Sequence, residues 1–254
     1  MPRRPRQEEA GAIHHVTARG NNRRQLFLDD ADRRSFLRGL TRVVETFNWR
    51  CLAMCLMDNH FHLLIKTLEP NLGEGMKDLN QPHAQRFNRR YGNDGHLFQG
   101  RYYSSRVLTD RYLLACVRYV VQNPVRAGLC ESPDRWAWSS HNITMKREQH
   151  RLVAVAELLR IFDEDPERAR ERYSAFVHER PDPASVVQLR EARLMERSAP
   201  RPLHALLGAA PTADDIAEAY YGDGYDMKSI AQSIGCDATT VGRRIKAWRV
   251  QAGV

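Results

Sequence analysis

A hairpin written into residues 51–65 constrains this chain more than any other stretch of it. Cys51–Met57 is an apolar run of strand length, and Asp58-Asn59 is a two-residue turn suited to a tight hairpin. His60-Phe61-His62-Leu63-Leu64-Ile65 then resumes as a strand. Side chains alternate across a strand, so both imidazoles fall on one face and Phe61 on the other. Two imidazoles at alternate positions make half of a divalent-metal site. A His-x-His in a strand is more often a polar pair near a sheet edge, so the rest of the chain has to supply the other half.

The flanking segments set the fold class. Ala12–Arg19 reads as a strand ending at the turn Gly20-Asn21-Asn22. Asp29-Asp30 opens a helix whose Phe36, Leu37, Leu40, Val43, Val44 and Phe47 recur at helical spacing. Leu72–Phe87 is a helix interrupted by Pro82, residues 92–100 are loop, and Tyr102–Val107 is a short strand. Thr109-Asp110 caps a further helix, Arg111–Asn123, which Pro124 stops. The order β-α-β-β-α-β predicts an α+β domain, an antiparallel sheet with helices packed on one face.

Charge narrows the partner. Of 70 charged residues 39 are Lys or Arg, a net charge of +8. Residues 1–150 hold 24 of the basic residues against 15 acidic ones, while residues 201–254 balance. The excess therefore accompanies the histidine hairpin and favours a nucleic-acid partner. No apolar run approaches the ~20 residues that cross a bilayer. Met-Pro-Arg-Arg-Pro-Arg at the N-terminus has no apolar segment behind it, so no secretory signal or membrane partner is expected. Cys51, Cys55, Cys116, Cys130 and Cys236 form no Cys-x-x-Cys pair, which points to a reducing cytoplasm without a disulfide framework.

On the helix before Pro124, Tyr119 and Asn123 lie four residues apart and share a face, with Tyr112 and Cys116 on the same stripe. Leu113, Val117, Val120 and Val121 form the apolar opposite. Such a helix packs its aliphatic side away and presents Tyr119 and Asn123 across the sheet to the histidines. Spacing alone favours a plainer reading, with the tyrosines as amphipathic edge residues and Asn123 as a C-terminal cap.

Five ordered motifs change that balance: His15-Val-Thr-Ala-Arg-Gly-Asn21, Met57-Asp-Asn-His-Phe-His-Leu-Leu64, Gly95-His-Leu-Phe-Gln-Gly-Arg101, Tyr119-Val-Val-Gln-Asn-Pro-Val-Arg-Ala-Gly128 and Trp136-Ala-Trp-Ser-Ser140. Over residues 12–141 the chain resembles the single-tyrosine transposases of the HUH nuclease superfamily, and within them the branch associated with repetitive extragenic palindromic (REP) elements. The resemblance implies a ferredoxin-like antiparallel sheet. It implies Tyr119 as nucleophile and His60, His62 and Asn123 as ligands of Mg2+ or Mn2+, with Gln122 as the rival third ligand and Tyr112 as the rival nucleophile. The substrate it implies is single-stranded or hairpin DNA, cut and rejoined through a 5′-phosphotyrosine. Arg19, Asn21, Arg23 and Arg24 after the first strand, with Gln99, Arg101 and Arg106 before the tyrosine helix, would grip that DNA through phosphates and stacked bases. Monomer and homodimer both stay open.

Residues 145–205 read as a charged helical connector after a catalytic domain over 1–144, with one packed helix at Leu152–Phe162 and no chemistry of its own. Residues 206–254 carry a separate pattern: helices at Thr212–Tyr221, Met227–Ile234 and Ala238–Arg249, with a turn at Gly235-Cys236-Asp237. This is similar to a helix-turn-helix that reads duplex DNA, with Thr239, Thr240, Arg243, Arg244 and Lys246 exposed on the third helix. The zero net charge of residues 201–254 suits a small helical bundle that binds a partner as well. For the whole chain the transposase expectation stands against a non-catalytic DNA-binding regulator and a replication-initiator-like nickase.

Overall fold

In the computed structural model the hairpin lies inside a four-stranded antiparallel sheet of order β2-β3-β1-β4. In chain order its elements are β1 (Ile13–Arg19), α1 (Asp30–Thr46), β2 (Trp49–Leu56), β3 (His60–Thr67), α2 (Leu72–Tyr91), β4 (Tyr103–Val107) and α3 (Asp110–Arg126). The structure describes residues 8–147, 149–179, 203–208, 210–222, 225 and 227–251, in two compact units, Met1–Glu179 and Arg180–Val254.

The α+β class and the sheet are those expected, but the helices cover both faces of the sheet where one was expected. Phe61 packs on Phe36 of α1 at a ring separation of 4.7 Å, while His62, its neighbour in β3, meets Tyr119 of α3 at 5.2 Å. The physical reason is that β3 is buried along nearly its whole length. A strand with Leu63 and Leu64 on opposite sides needs cover on both.

Two prolines do less than their position suggested. Pro82 lies within an unbroken α2, which ends at Gly92, a left-handed glycine at φ +61°. Pro124 lies inside α3, and the helix runs on to Arg126. A proline in a last turn forfeits one backbone hydrogen bond. The stop is Gly128 at φ +70°, whose N–H donates to the Val125 carbonyl while that of Ala127 donates to Asn123.

The first part of the expected connector is packed structure. After a 3-10 turn at Pro133–Arg135 come α4 (His141–Met145), α5 (Val155–Leu159) and α6 (Pro166–His178). Leu56 N–H donates to Trp138 O, Ser140 N–H to Met54 O and Ala154 N–H to Cys51 O, so this stretch covers the outer edge of β2. Lys66 of β3 pairs with Glu157 of α5 at 2.7 Å, and Tyr173 of α6 is fully buried. The rest of the expected connector, 180–202 with Pro181, Pro183 and Pro200, lies outside the described residues.

The second unit contains α7 (Leu203–Leu207), α8 (Ala213–Ala217) running into a π turn at Glu218–Gly222, α9 (Met227–Ser233) and α10 (Ala238–Gln251). Thr212 caps α8 with a reciprocal capping box to Asp215. Its core is Leu207, Ile216, Ala217, Ala219, Ile230, Ala231, Val241, Ile245 and Trp248, and the indole N–H of Trp248 donates to Asp214 at 2.7 Å. Among the described residues no helix is long and apolar enough to cross a membrane.

Candidate active site

Strand register builds the first half of the site. In the β1–β3 pairing Thr17 stands opposite His62 and Arg19 opposite His60, so all four share the face toward α3. His62 is fully buried. Its Nδ1 lies 3.3 Å from the Thr17 hydroxyl and 3.2 Å from Nε2 of His15, whose ring stacks on it at 5.4 Å. His60 has its Nδ1 2.7 Å from the side-chain oxygen of Asn59, which takes the Nδ1 proton. In both rings Nδ1 is held by the protein, so that any ligand role would fall to Nε2. The two rings are 5.0 Å apart and perpendicular.

Helix α3 brings the second half. Asn123 places its amide nitrogen 3.1 Å from His62 Nε2, and Tyr119, one turn earlier, sets its ring edge-on 5.2 Å from His62 and 5.7 Å from His15. Both side chains are buried. The rivals point elsewhere. The Gln122 amide donates to the Val177 carbonyl on α6 at 2.5 Å. The Tyr112 hydroxyl meets Ser105 of β4 at 3.4 Å, and burial pushes its phenol well above the ordinary range. Arg118, beside Tyr119 in sequence, lies over the Phe176 ring at 3.7 Å and 3.8 Å from Glu179.

The basic residues divide. Arg19 shares the histidine face. Arg106 is paired in register with His14, which points to the opposite face, and it bonds Glu9 at 2.8 Å. Arg23 and Arg24 lie in and after the 3-10 turn at Asn21–Arg23, where Asn22 and Arg23 have φ of +49° and +60°. Residues 97–99 bond back to the end of β1, Asn21 N–H to Leu97 O and Gln99 N–H to Arg19 O. That stitching places Asn21, Gln99 and Arg101 on one wall of a cleft of about 960 Å3. The other wall is α2, with Lys77, Asn80, Gln81, Gln85 and Asn88. His60, His62 and Tyr119 do not line this cleft. Sequence reading missed its amide-rich wall, whose signal was the polar recurrence at 77, 81 and 85 along α2.

In the second unit Thr239, Arg243, Arg244 and Lys246 are exposed on α10, as expected. Thr240 is only half-exposed, and Asp237 holds it from both sides: the Thr240 hydroxyl donates to one carboxylate oxygen and its N–H to the other, each at 2.8 Å. Asp237 thereby caps α10, and the Thr240 side chain is engaged with that cap.

Residues 10–123 match the model of the family described as "Transposase IS200 like". Among solved structures, one described as a REP-associated tyrosine transposase bound to a REP hairpin aligns with 58% of this chain and 87% of its own, at 18% identity and a TM-score of 0.48. No curated protein sequence matches the chain.

Proposed function

We propose that the chain, whose residues 10–123 match the model of the family described as "Transposase IS200 like", is a metal-dependent single-strand DNA transposase or endonuclease. It cleaves and rejoins DNA at hairpin or REP-like sequences through a 5′-phosphotyrosine. The observation that carries this reading is the meeting of His62, Tyr119 and Asn123, with Nε2 and the Asn123 amide 3.1 Å apart.

The donor set fits a divalent cation. His60 and His62 each have Nδ1 engaged by a neighbour, and turning the Asn123 amide by half a revolution presents its oxygen where its nitrogen now lies. His60, His62 and Asn123 would hold Mg2+ or Mn2+. The chemistry such an ion supplies when bound is polarisation of a non-bridging oxygen of the scissile phosphate.

The chain's own residues do the rest. Tyr119 attacks phosphorus, forming a bond from its phenol oxygen to the 5′ phosphate as the bond to the 3′ oxygen breaks. The phenol proton leaves to solvent and the departing 3′ oxygen takes one up. The phosphotyrosine preserves the energy of the broken bond, so a later 3′-OH reverses the step without ATP. Burial between α3 and the sheet fixes the attacking ring and limits competing water. Thr17 and His15 hold the His62 ring in one tautomer and orientation. Arg19, across from His60 in register, is the cation best placed for the phosphate. Asn21, Arg23, Arg24, Gln99 and Arg101 bind the flanking single strand, while Arg106 on the other face contributes at most through long-range charge. The second unit acts as a helix-turn-helix, reading duplex DNA with Thr239, Arg243, Arg244 and Lys246. The protein is expected in the cytoplasm, where its substrate is.

The test is incubation with a single-stranded hairpin oligonucleotide and Mn2+. A covalent adduct that survives denaturation and is lost in Tyr119→Phe but kept in Tyr112→Phe supports the reading. An adduct kept in Tyr119→Phe and lost in Tyr112→Phe transfers the nucleophile to Tyr112.

A further inference from the structure

Asp134, His141 and His178 converge at a place the family match does not reach. Nε2 of His141 lies 3.0 Å from one Asp134 carboxylate oxygen and Nε2 of His178 3.1 Å from the other. All three donor atoms lie within 4.8 Å of one another. The far nitrogen of each ring is also committed: His178 Nδ1 donates to the Ser174 carbonyl at 2.8 Å, and His141 Nδ1 meets the Tyr173 hydroxyl at 3.2 Å. Since a carbonyl only accepts, the proton of a neutral His178 is on Nδ1. Its Nε2 lone pair then faces a carboxylate oxygen, two acceptors in contact. Something positive belongs between them.

We propose that these three side chains form a Zn2+-type transition-metal site that staples α6 to the segment 133–141. Zn2+ takes imidazole and carboxylate donors at about 2.0–2.2 Å in a tetrahedron, whose ligand atoms stand roughly 3.3–3.5 Å apart. The 3.0 Å edge from His141 to one Asp134 oxygen needs only a few tenths of an ångström of adjustment, and the other separations, all within 4.8 Å, close by rotation of the half-exposed Asp134 and His178 side chains. His141 is fully buried and supplies a rigid anchor. Asp134 and His178 are half-exposed, which gives an ion an entry path and leaves the fourth position to water. The held Nδ1 atoms are the arrangement a metal-bound imidazole requires. The consequence reaches the candidate active site through α6. Val177 accepts the bond from Gln122, and Phe176 carries the Arg118 guanidinium. Those residues adjoin Asn123 and Tyr119 on α3, so an occupied site holds α6 against the helix that bears the nucleophile.

The experiment is Zn2+ content of the full chain, without DNA, after dialysis against micromolar Zn2+, for the wild type, His178→Ala and Asp134→Asn. Counting by difference removes any ion taken by His60 and His62. The wild type should hold one more equivalent than either variant. EDTA should lower the melting temperature of the wild type by several degrees more than that of either variant. Co2+ in place of Zn2+ should give the wild type a visible d–d band that His178→Ala lacks. Equal metal content and equal EDTA response in all three chains would overturn the site, leaving an imidazolium–carboxylate pair. Circular dichroism identifies a variant that fails to fold, and the other then decides the question. None of these readouts depends on DNA cleavage, so the result stands apart from the transposase reading.

Discussion

Acidification from pH 7 to pH 5 should cost the first unit about 2 kcal/mol through one side chain, His83. This imidazole on α2 is buried among aromatic rings, 5.2 Å from Phe27 and 5.1 Å from Phe36, and its Nε2–H donates to the Leu26 carbonyl at 3.0 Å. Burial holds it down to about 4, against 6.5 for an ordinary histidine. Above pH 6.5 both folded and unfolded chains keep it neutral, and it adds no pH dependence. Below that value the unfolded chain takes up the proton and the fold does not, so stability declines until the folded group titrates near pH 4. Each pH unit of difference is worth about 1.36 kcal/mol, giving ~2 kcal/mol at pH 5 and about 3.4 kcal/mol at full loss. The assay is urea unfolding from pH 7 to pH 5, read by hydrogen exchange of the buried β3 amides, for the wild type and His83→Gln. Glutamine keeps a donor for Leu26 but does not titrate. The difference between the two curves should fall by about 2 kcal/mol across the window. Parallel curves, or a His83 ring titrating near 6.5 by NMR, would refute the reasoning.

Other changes have equally definite outcomes. Gly75→Ala would put a Cβ 2.2 Å from the Trp49 ring, so it should cost about 1–3 kcal/mol in urea unfolding, largely relieved in a Trp49→Phe background. Asn123→Ala should reduce Mn2+-dependent strand cleavage roughly 10–100-fold. Gln122→Ala should lower stability through its lost bond to Val177 while leaving the Mn2+ dependence of cleavage unchanged. Arg243→Ala should weaken duplex binding at all sequences or at one base position, and a phosphate contact would lower the salt slope by about 1. Asp237→Ala should instead lower the helicity of the second unit by removing the cap that holds the Thr240 N–H.

The part of the site legible in the sequence was the part set by local periodicity. Strand alternation put His60 and His62 on one face, and helical spacing put Asn123 under Tyr119, because both follow from backbone geometry within one element. What sets Gln122 apart from Asn123 is a tertiary contact, the Val177 carbonyl on a helix about fifty-five residues away. The same limit hid His15 and Thr17. Their parity along β1 matched that of Arg19, but only the register against β3 shows that they grip His62. The run of charges after residue 145 suggested a solvated connector. In the structure its apolar minority, Leu152, Val153, Leu158 and Tyr173, closes over the sheet while the charges stay outside. Helices were assigned to one face since the pattern of each helix shows that it has a buried side, and says nothing of which side of the sheet receives it. Pro124 was given the authority of a helix stop that belongs to Gly128.

The central claim is that Tyr119, held against His62 and Asn123, forms a covalent bond to DNA. The direct measurement is mass spectrometry of the trypsin- and nuclease-treated adduct formed with a single-stranded hairpin and Mn2+. The account predicts one nucleotide-bearing peptide, the segment Tyr119–Arg126, with the phosphate on Tyr119 and a free 3′-OH on the released strand. Phosphate on Tyr112, or strand cleavage that leaves no tyrosine modified, would contradict it.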